Sequence, residues 1–232
     1  MVFFFAAFGL LFHILFWGIG LACLIAPRRW RPFWPVFAAP AGLALQSAVV
    51  WAGAYSPLKG ANAYVWGTEL IPAVLLGLGW WRLGDKRRRQ IGRDLRKFSA
   101  VWLCLAAALA ALITPFALAS KTLTTSSLGS CDAADYAAGA RVLQEFSHDD
   151  RTGFMGLTEV VQVASVDNFF DFWLRLNHFT PSALIAFNGA AFRYQPYEII
   201  SVMTALLLVL SLPVVFWVAA IAVLAATFLA AR

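Results

Sequence analysis

Residues 2–26 have the sequence VFFFAAFGLLFHILFWGIGLACLIA, which contains no Asp, Glu, Lys or Arg. A helix needs ~20 mostly apolar residues to cross the ~30 Å hydrocarbon core of a bilayer. This stretch therefore predicts a membrane-spanning helix. It has neither the basic start nor the small-residue cleavage site of a signal peptide, which predicts that the helix is retained.

Further apolar blocks of spanning length follow along the 232-residue chain, which is 61% hydrophobic. They occupy residues 33–54, 64–83, 98–120 and 197–231. The pattern predicts an all-α, polytopic protein with about five transmembrane helices. As a single helix the last block would extend ~50 Å, so we expect it to be strongly tilted, bent near Pro213 or the start of a second crossing.

The basic residues are concentrated in the segments between certain blocks. Of eighteen Lys and Arg residues, three lie between the first two blocks, eight lie in residues 82–97 and one is Arg232. The positive-inside rule places these segments in the cytoplasm and the amino terminus, residues 55–63 and residues 121–195 outside. The net charge of +6 is accompanied by no nucleic-acid reader motif, so no nucleic-acid partner is expected.

Three parts of the chain are predicted from these features. Residues 1–120 form four transmembrane helices with basic cytoplasmic loops, residues 121–195 form an extracytoplasmic loop with juxtamembrane helices, and residues 196–232 form a long transmembrane segment. We expect an integral protein of a bacterial inner (plasma) membrane. Residues 84–97 are expected to form a short basic helix along the inner surface, in contact with anionic lipid.

The loop 121–195 is far longer than a simple connection needs, which favours a function of its own. In residues 132–146, Tyr136, Ala140 and Leu143 are spaced as the apolar stripe of a helix. Residues 157–177 have the pattern of a helix lying in the membrane interface. Thr180 and Pro181 then open an apolar helix too short to span, which we expect to dip into the membrane or lie flat.

Asp132, Asp135, Tyr136 and Arg141 share the first of these helices. Asp132 and Tyr136 are four residues apart and therefore lie on one face. A carboxylate there could accept a proton from a hydroxyl or hold a divalent cation. The alternative is that Asp132 caps the helix and Tyr136 only packs. His178 could bind a phosphate or a sugar, or be a surface histidine at a helix boundary.

Two polar residues fall within or beside the apolar blocks. His13 is expected to form a hydrogen bond to a neighbouring helix. Glu69 is the one acid near a span; membrane acids are often functional, but this one lies three residues after Trp66 and is expected to reach the outer headgroups. Nucleotide-binding loops, serine-hydrolase motifs and the usual zinc-site spacings are missing from the sequence.

The order of these parts resembles the GT-C superfamily of membrane glycosyltransferases, including the protein O-mannosyltransferase and aminoarabinose-transferase branch. A spanning helix precedes DAADYAAGAR (132–141), interfacial helices follow, and then come NHFTPSALIAFNGAAF (177–192) and PYEIISVMTALLLVL (196–210). The chain departs from the family in having Ala133 where a second acid is common and in having three extra helices before the loop. About five helices instead of ten or more indicate the amino-terminal portion of such an enzyme.

The resemblance implies that a sugar passes from a polyprenyl-phosphate donor to a glycan, lipid or protein acceptor on the outer face. Asp132 would be the catalytic base or would act through a divalent cation. Asp135 and Tyr136 would contact substrate, and Arg141 or His178 would hold the donor phosphate.

Two other functions stay open on the sequence alone. One is a non-catalytic membrane protein whose loop docks a partner in envelope biogenesis, in which case replacement of Asp132 by Asn or Ser is tolerated. The other is a transporter, which is less favoured because the sequence shows no inverted repeat.

Overall fold

The computed structural model describes residues 1–27, 29–123, 132–148 and 179–212, except for the side chain of Asp132. Within these ranges the regular structure is helical, with no strand. The α-helices are α1 (Val2–Ile25), α2 (Trp34–Ala54), α3 (Gly60–Thr68), α4 (Leu70–Arg88), α5 (Ile91–Ala119), α6 (Asp132–Glu145), α7 (Phe179–Phe192) and α8 (Pro196–Leu212). A short 3-10 turn, Arg31–Phe33, leads into α2.

Four stretches are long and apolar enough to cross a membrane. They are Val2–Ile25, Arg31–Ala54, Gly60–Arg88 and Ile91–Ala119. A fifth is possible where α7 and α8, which meet at an angle of 114°, pass the same test together as a broken span or a re-entrant loop. The predicted all-α membrane protein is confirmed at this level, whereas residues 213–231 of the predicted last span lie outside the described ranges.

Helix α1 lies at the centre of the bundle and packs closely on α2 and α4. A methyl group added at Gly18 would collide with the Ala38 carbonyl, and one added at Gly42 would collide with the Ile14 carbonyl. Since later residues of α2 meet earlier residues of α1, the two helices are antiparallel. Small residues allow this close approach, which is the main source of helix association in lipid.

The third apolar block is interrupted at Glu69, which lies between α3 and α4. Pro72 is the third residue of α4 and has no N–H to donate to the carbonyl of Thr68. Its ring also crowds that carbonyl, so a continuous helix is disfavoured at this point. The break places Glu69 in a junction inside the bundle.

The basic segment between α4 and α5 does not form the separate surface helix expected from residues 84–97. Gly84 adopts φ +70° and bends the end of α4, and α5 already begins at Ile91. Arg87 of α4 pairs with the buried Asp94 of α5 at 3.1 Å. The short turn is therefore tied by an ion pair, and most of the basic residues belong to the two long helices.

At the opposite end of the bundle, α6 packs on α3 and α7, and α7 also contacts α2. We call this end, where α2 ends and α3 begins, the α6 end. Ala140 and Leu143 are buried, and Tyr136 packs against the core, which confirms the predicted stripe. The main-chain N–H of Gln195 donates to Glu198 at 2.7 Å, which caps the start of α8.

Candidate functional site

Four of the five predicted site residues of the loop lie on one continuous helix, α6. Asp132 is its first residue, and Asp135 and Tyr136 follow at three and four positions, so the three share one side of the helix. Arg141 is nine positions from Asp132, which corresponds to ~14 Å along the axis and about half a turn around it. The helix therefore groups the two acids with the tyrosine and places the arginine apart from Asp132.

Arg141 has a partner on its own helix. Its guanidinium Nη1 lies 2.6 Å from Glu145 Oε1, and both side chains are partly exposed. Asp135 and Tyr136 are also partly buried and each takes part in an interaction. The side chain of Asp132 and the whole of His178 lie outside the described residues, so their predicted roles stay predictions.

Helix α6 is held in place by its last turn. Gln144 is buried and its Nε2 donates to the Tyr194 carbonyl at 3.0 Å, in the break between α7 and α8. Gly60, at φ +70°, lies directly against the main chain of Gln144 and Glu145. Beyond the helix, the His148 N–H donates to the Ala54 carbonyl at 3.3 Å, which fastens the chain to the end of α2.

A second polar site, not predicted from the sequence as a group, lies within the bundle. The imidazole of His13 has Nε2 2.7 Å from Glu69 Oε1. Trp17, one turn further along α1, donates its indole N–H to both carboxylate oxygens of Glu69 at 3.2 and 3.3 Å. The expected hydrogen bonding of His13 to neighbouring helices is confirmed, whereas the expectation that Glu69 only reaches headgroups is wrong.

Two amides complete this polar centre. Asn188 of α7 has Oδ1 2.8 Å from His13 Nδ1 and donates from Nδ2 to Gln46 Oε1 of α2 at 3.2 Å. Gln46 and Asn188 are fully buried. Side chains from α1, α2, α7 and the junction between α3 and α4 therefore meet in one hydrogen-bonded group.

Aromatic rings enclose the polar centre. The ring of Phe187 stacks on His13 with centroids 6.0 Å apart and meets Trp17 edge-on at 5.3 Å. Phe192 contacts His13 edge-on at 5.4 Å. The exposed fraction is 8% for the His13 side chain and 22% for that of Glu69, so most of the pair is buried inside the bundle.

The polar centre lies deep in the apolar bundle. Measured from the α6 end, His13 lies eleven residues into α1, Gln46 eight residues before the end of α2, and Glu69 nine residues after the start of α3. At ~1.5 Å per residue these depths are ~17, ~12 and ~14 Å, close to the middle of a ~30 Å hydrocarbon core.

The sequence contained a signal for this centre, because His13, Gln46 and Asn188 are isolated strongly polar residues in apolar stretches. Polar and ionisable residues within a membrane span are costly and usually face one another or a functional site. No metal-binding group was found in the described ranges, where no three His, Cys, Asp or Glu side chains are placed to hold an ion. The divalent cation implied through Asp132 would involve a side chain outside those ranges.

Comparison with protein-family models, with curated proteins and with solved structures gave no match to this chain.

Proposed function

We propose that this protein is a membrane-embedded glycosyltransferase, or part of one, that moves a sugar from a polyprenyl-phosphate donor to an acceptor on the outer face of the membrane. The observation that supports it most is the packing of α6 against α7. These helices carry DAADYAAGAR and TPSALIAFNGAAF, which belong to two of the three stretches on which the GT-C resemblance rests, although residues 146–178 separate them in the chain.

The acidic start of α6 suits the role of a general base. In the proposed step, an acceptor hydroxyl oxygen attacks the anomeric carbon of the donor sugar, and the bond from that carbon to the phosphate oxygen breaks. The carboxylate of Asp132 takes the hydroxyl proton, and polyprenyl phosphate leaves with the bonding electron pair. Asp135 and Tyr136, on the same side of the helix, are placed to position the sugar or the acceptor.

The helix register separates the candidates for phosphate binding. Arg141 lies about half a turn around α6 from Asp132 and pairs with Glu145. Both Arg141 and His178 stay candidates for holding the leaving phosphate. The separation of Arg141 from Asp132 along α6 favours His178, which directly precedes α7 in the chain.

The surroundings of α6 suit a lipid-linked donor. At the same end of the bundle, Phe5 at the start of α1 is 71% exposed and Leu118 at the end of α5 is 82% exposed. Exposed apolar side chains on spanning helices are compatible with acyl or prenyl chains. A donor with a polyprenyl tail can therefore approach α6 from within the bilayer.

The test is the substitution Asp132→Asn in the native gene, followed by mass analysis of envelope glycolipids and glycans. Asparagine caps helices as well as aspartate does, so the variant loses the base without losing a cap. Removal of a general base typically slows a reaction ~10²–10⁴-fold, and one sugar product should disappear. Asp85→Asn, an exposed acid in α4 near the basic turn, is the matched control and should keep that product.

Membrane insertion of both variants is measured in parallel by fractionation and immunodetection. An unchanged glycan profile in normally inserted Asp132→Asn protein contradicts the transferase. That result would favour the alternative, in which the loop docks an envelope-biogenesis partner and Asp132 caps a helix.

A further inference from the structure

We infer that His13 and Glu69 form a proton-binding site inside the membrane, in which one proton is held between imidazole Nε2 and carboxylate Oε1. This inference does not depend on the glycosyltransferase proposal, because it uses only the polar centre of the bundle. It follows from which atoms of the polar centre can donate a hydrogen bond and which can only accept one.

The orientation of the Asn188 amide is determined by the main chain. Its Nδ2 donates to the Leu184 carbonyl at 2.9 Å and to Gln46 Oε1 at 3.2 Å. A main-chain carbonyl can only accept a hydrogen bond, so the NH₂ group must be on this side. The amide oxygen Oδ1 therefore faces His13 Nδ1, from which it is 2.8 Å away.

The amide orientation in turn determines one proton of the histidine. Because Asn188 Oδ1 can only accept, the 2.8 Å contact requires that His13 Nδ1 carries a hydrogen and donates it. The longer contact of Gln46 Nε2 with the same nitrogen, at 3.4 Å, is then not a hydrogen bond. Neutral imidazole has a single N–H. If His13 is neutral, its Nε2 is therefore bare and can only accept.

A second proton is then required between His13 and Glu69. Two bare acceptors repel each other, yet Nε2 and Oε1 are 2.7 Å apart. The contact is satisfied only by imidazolium beside carboxylate or by imidazole beside carboxylic acid. Both forms contain the same number of protons and have no net charge, and they differ only in the position of one proton along the hydrogen bond.

Trp17 supports both forms of the pair. Its indole Nε1 is 3.1 Å from His13 Nε2 and 3.2 Å from Glu69 Oε2. Indole N–H can only donate, so it stabilises the negative charge of a carboxylate in one form and the lone pair of the imidazole in the other. The position of Trp17 between the two groups is therefore suited to a proton that moves.

The side chains around the pair are uncharged amides and aromatic rings. The facing side chains of α2 and α7, Gln46 and Asn188, do not titrate. Helix α3 contributes the titratable Tyr64, whose ring stacks on Phe187 at a centroid distance of 6.2 Å. None of these neighbours therefore supplies a positive charge to the pair.

The proton also connects parts of the fold. Without it, Nε2 and Oε1 would repel, and Glu69 would turn toward its partly exposed side. The hydrogen bond between His13 and the junction of α3 with α4 would then be lost. The ligand of this site is a proton, and its binding holds that junction to α1 and, through His13 and Asn188, to α7.

The experiment uses the whole protein in lipid nanodiscs, with ¹⁵N-labelled histidine rings examined by solid-state NMR. The chain has three histidines, and His13→Gln identifies the signals of His13 by their loss. We expect a protonated Nδ1 and an Nε2 in a strong hydrogen bond at neutral pH. A His13 with a bare Nδ1 and a proton only on Nε2 would overturn the assignment.

A second measurement compares the His13 ring signals of two variants at neutral pH. Glu69→Gln removes the acid and keeps an uncharged donor for Nε2, so the strong hydrogen bond at Nε2 should become an ordinary one while Nδ1 stays protonated. Glu145→Gln, on the exposed surface of α6, should leave the His13 signals unchanged. Unchanged His13 signals in Glu69→Gln would contradict the proposal.

Discussion

At the scale of single residues, Gln144 connects the proposed catalytic helix to the membrane helices. Its side chain is 2% exposed, and its amide nitrogen reaches the Tyr194 carbonyl in the break between α7 and α8. That carbonyl belongs to a turn following Arg193, a non-glycine residue with φ 59°. The Gln144 amide therefore donates a hydrogen bond to this irregular turn and fixes the position of the last turn of α6.

The substitution Gln144→Leu should destabilise the protein. It fills a similar volume but leaves the Tyr194 carbonyl without this donor, which costs about 1–3 kcal/mol for a buried group. The change is measured as a lower melting temperature in detergent or nanodiscs. Asn62→Leu, at an exposed position of α3, is the control and should change stability by less than about 0.5 kcal/mol. Equal effects of the two substitutions would contradict the role of Gln144.

Prediction from sequence at this scale succeeded where the local environment decided the outcome. The bonding of His13 to other helices follows from a lone imidazole in an apolar span, which must find partners. The bonding of Glu69 was mispredicted because Trp66 suggested the headgroup region. Its actual partners, His13 and Trp17, are more than fifty residues earlier in the chain, and only the packing of α1 beside the α3–α4 junction brings them together.

At the scale of helices, the contact of α1 with α2 depends on main chains that approach closely. Gly18 and Gly42 leave no room for even a methyl group, because each faces a carbonyl of the other helix. His13 is directly before this contact in α1, and Gln46 follows it in α2. The same close approach therefore sets the distance at which these two polar side chains meet.

Gly42→Ala should weaken this contact, whereas Gly77→Ala should not. The new methyl group at position 42 would overlap the Ile14 carbonyl, and overpacking of this kind costs about 1–3 kcal/mol. At position 77 nothing lies within 4 Å, and alanine should stabilise the helix by up to about 1 kcal/mol. Melting temperatures of the two variants measure the difference, and a loss of stability at position 77 equal to that at 42 would contradict this packing.

Helix positions were predictable to different degrees. The long apolar blocks predicted the bounds of α1, α2 and the apolar part of α5 closely. The spacing of Tyr136, Ala140 and Leu143 predicted α6. The interruption at Glu69 was not predicted, although Pro72 is a visible cause. Apolar composition alone does not distinguish a continuous span from a broken one, because both satisfy the length that the membrane requires.

At the scale of the whole molecule, the two sites occupy different depths of one bundle. Helix α6 lies at one end, on α3 and α7, and the His13–Glu69 pair lies about midway between the ends. The ion pair of Arg87 with Asp94 lies at the other end, among the basic residues. The proposals for both sites require that this bundle crosses the membrane, and the glycosyltransferase also requires that α6 lies outside.

The most direct test of this arrangement is cysteine labelling in cells. In a variant whose three cysteines are replaced by alanine, Ala134→Cys introduces a thiol at an exposed position of α6, and Arg89→Cys introduces one at the exposed basic turn. We predict that a membrane-impermeant maleimide labels position 134 in intact cells and position 89 only after permeabilisation. Labelling of position 89 in intact cells, or equal labelling of both, would contradict the account.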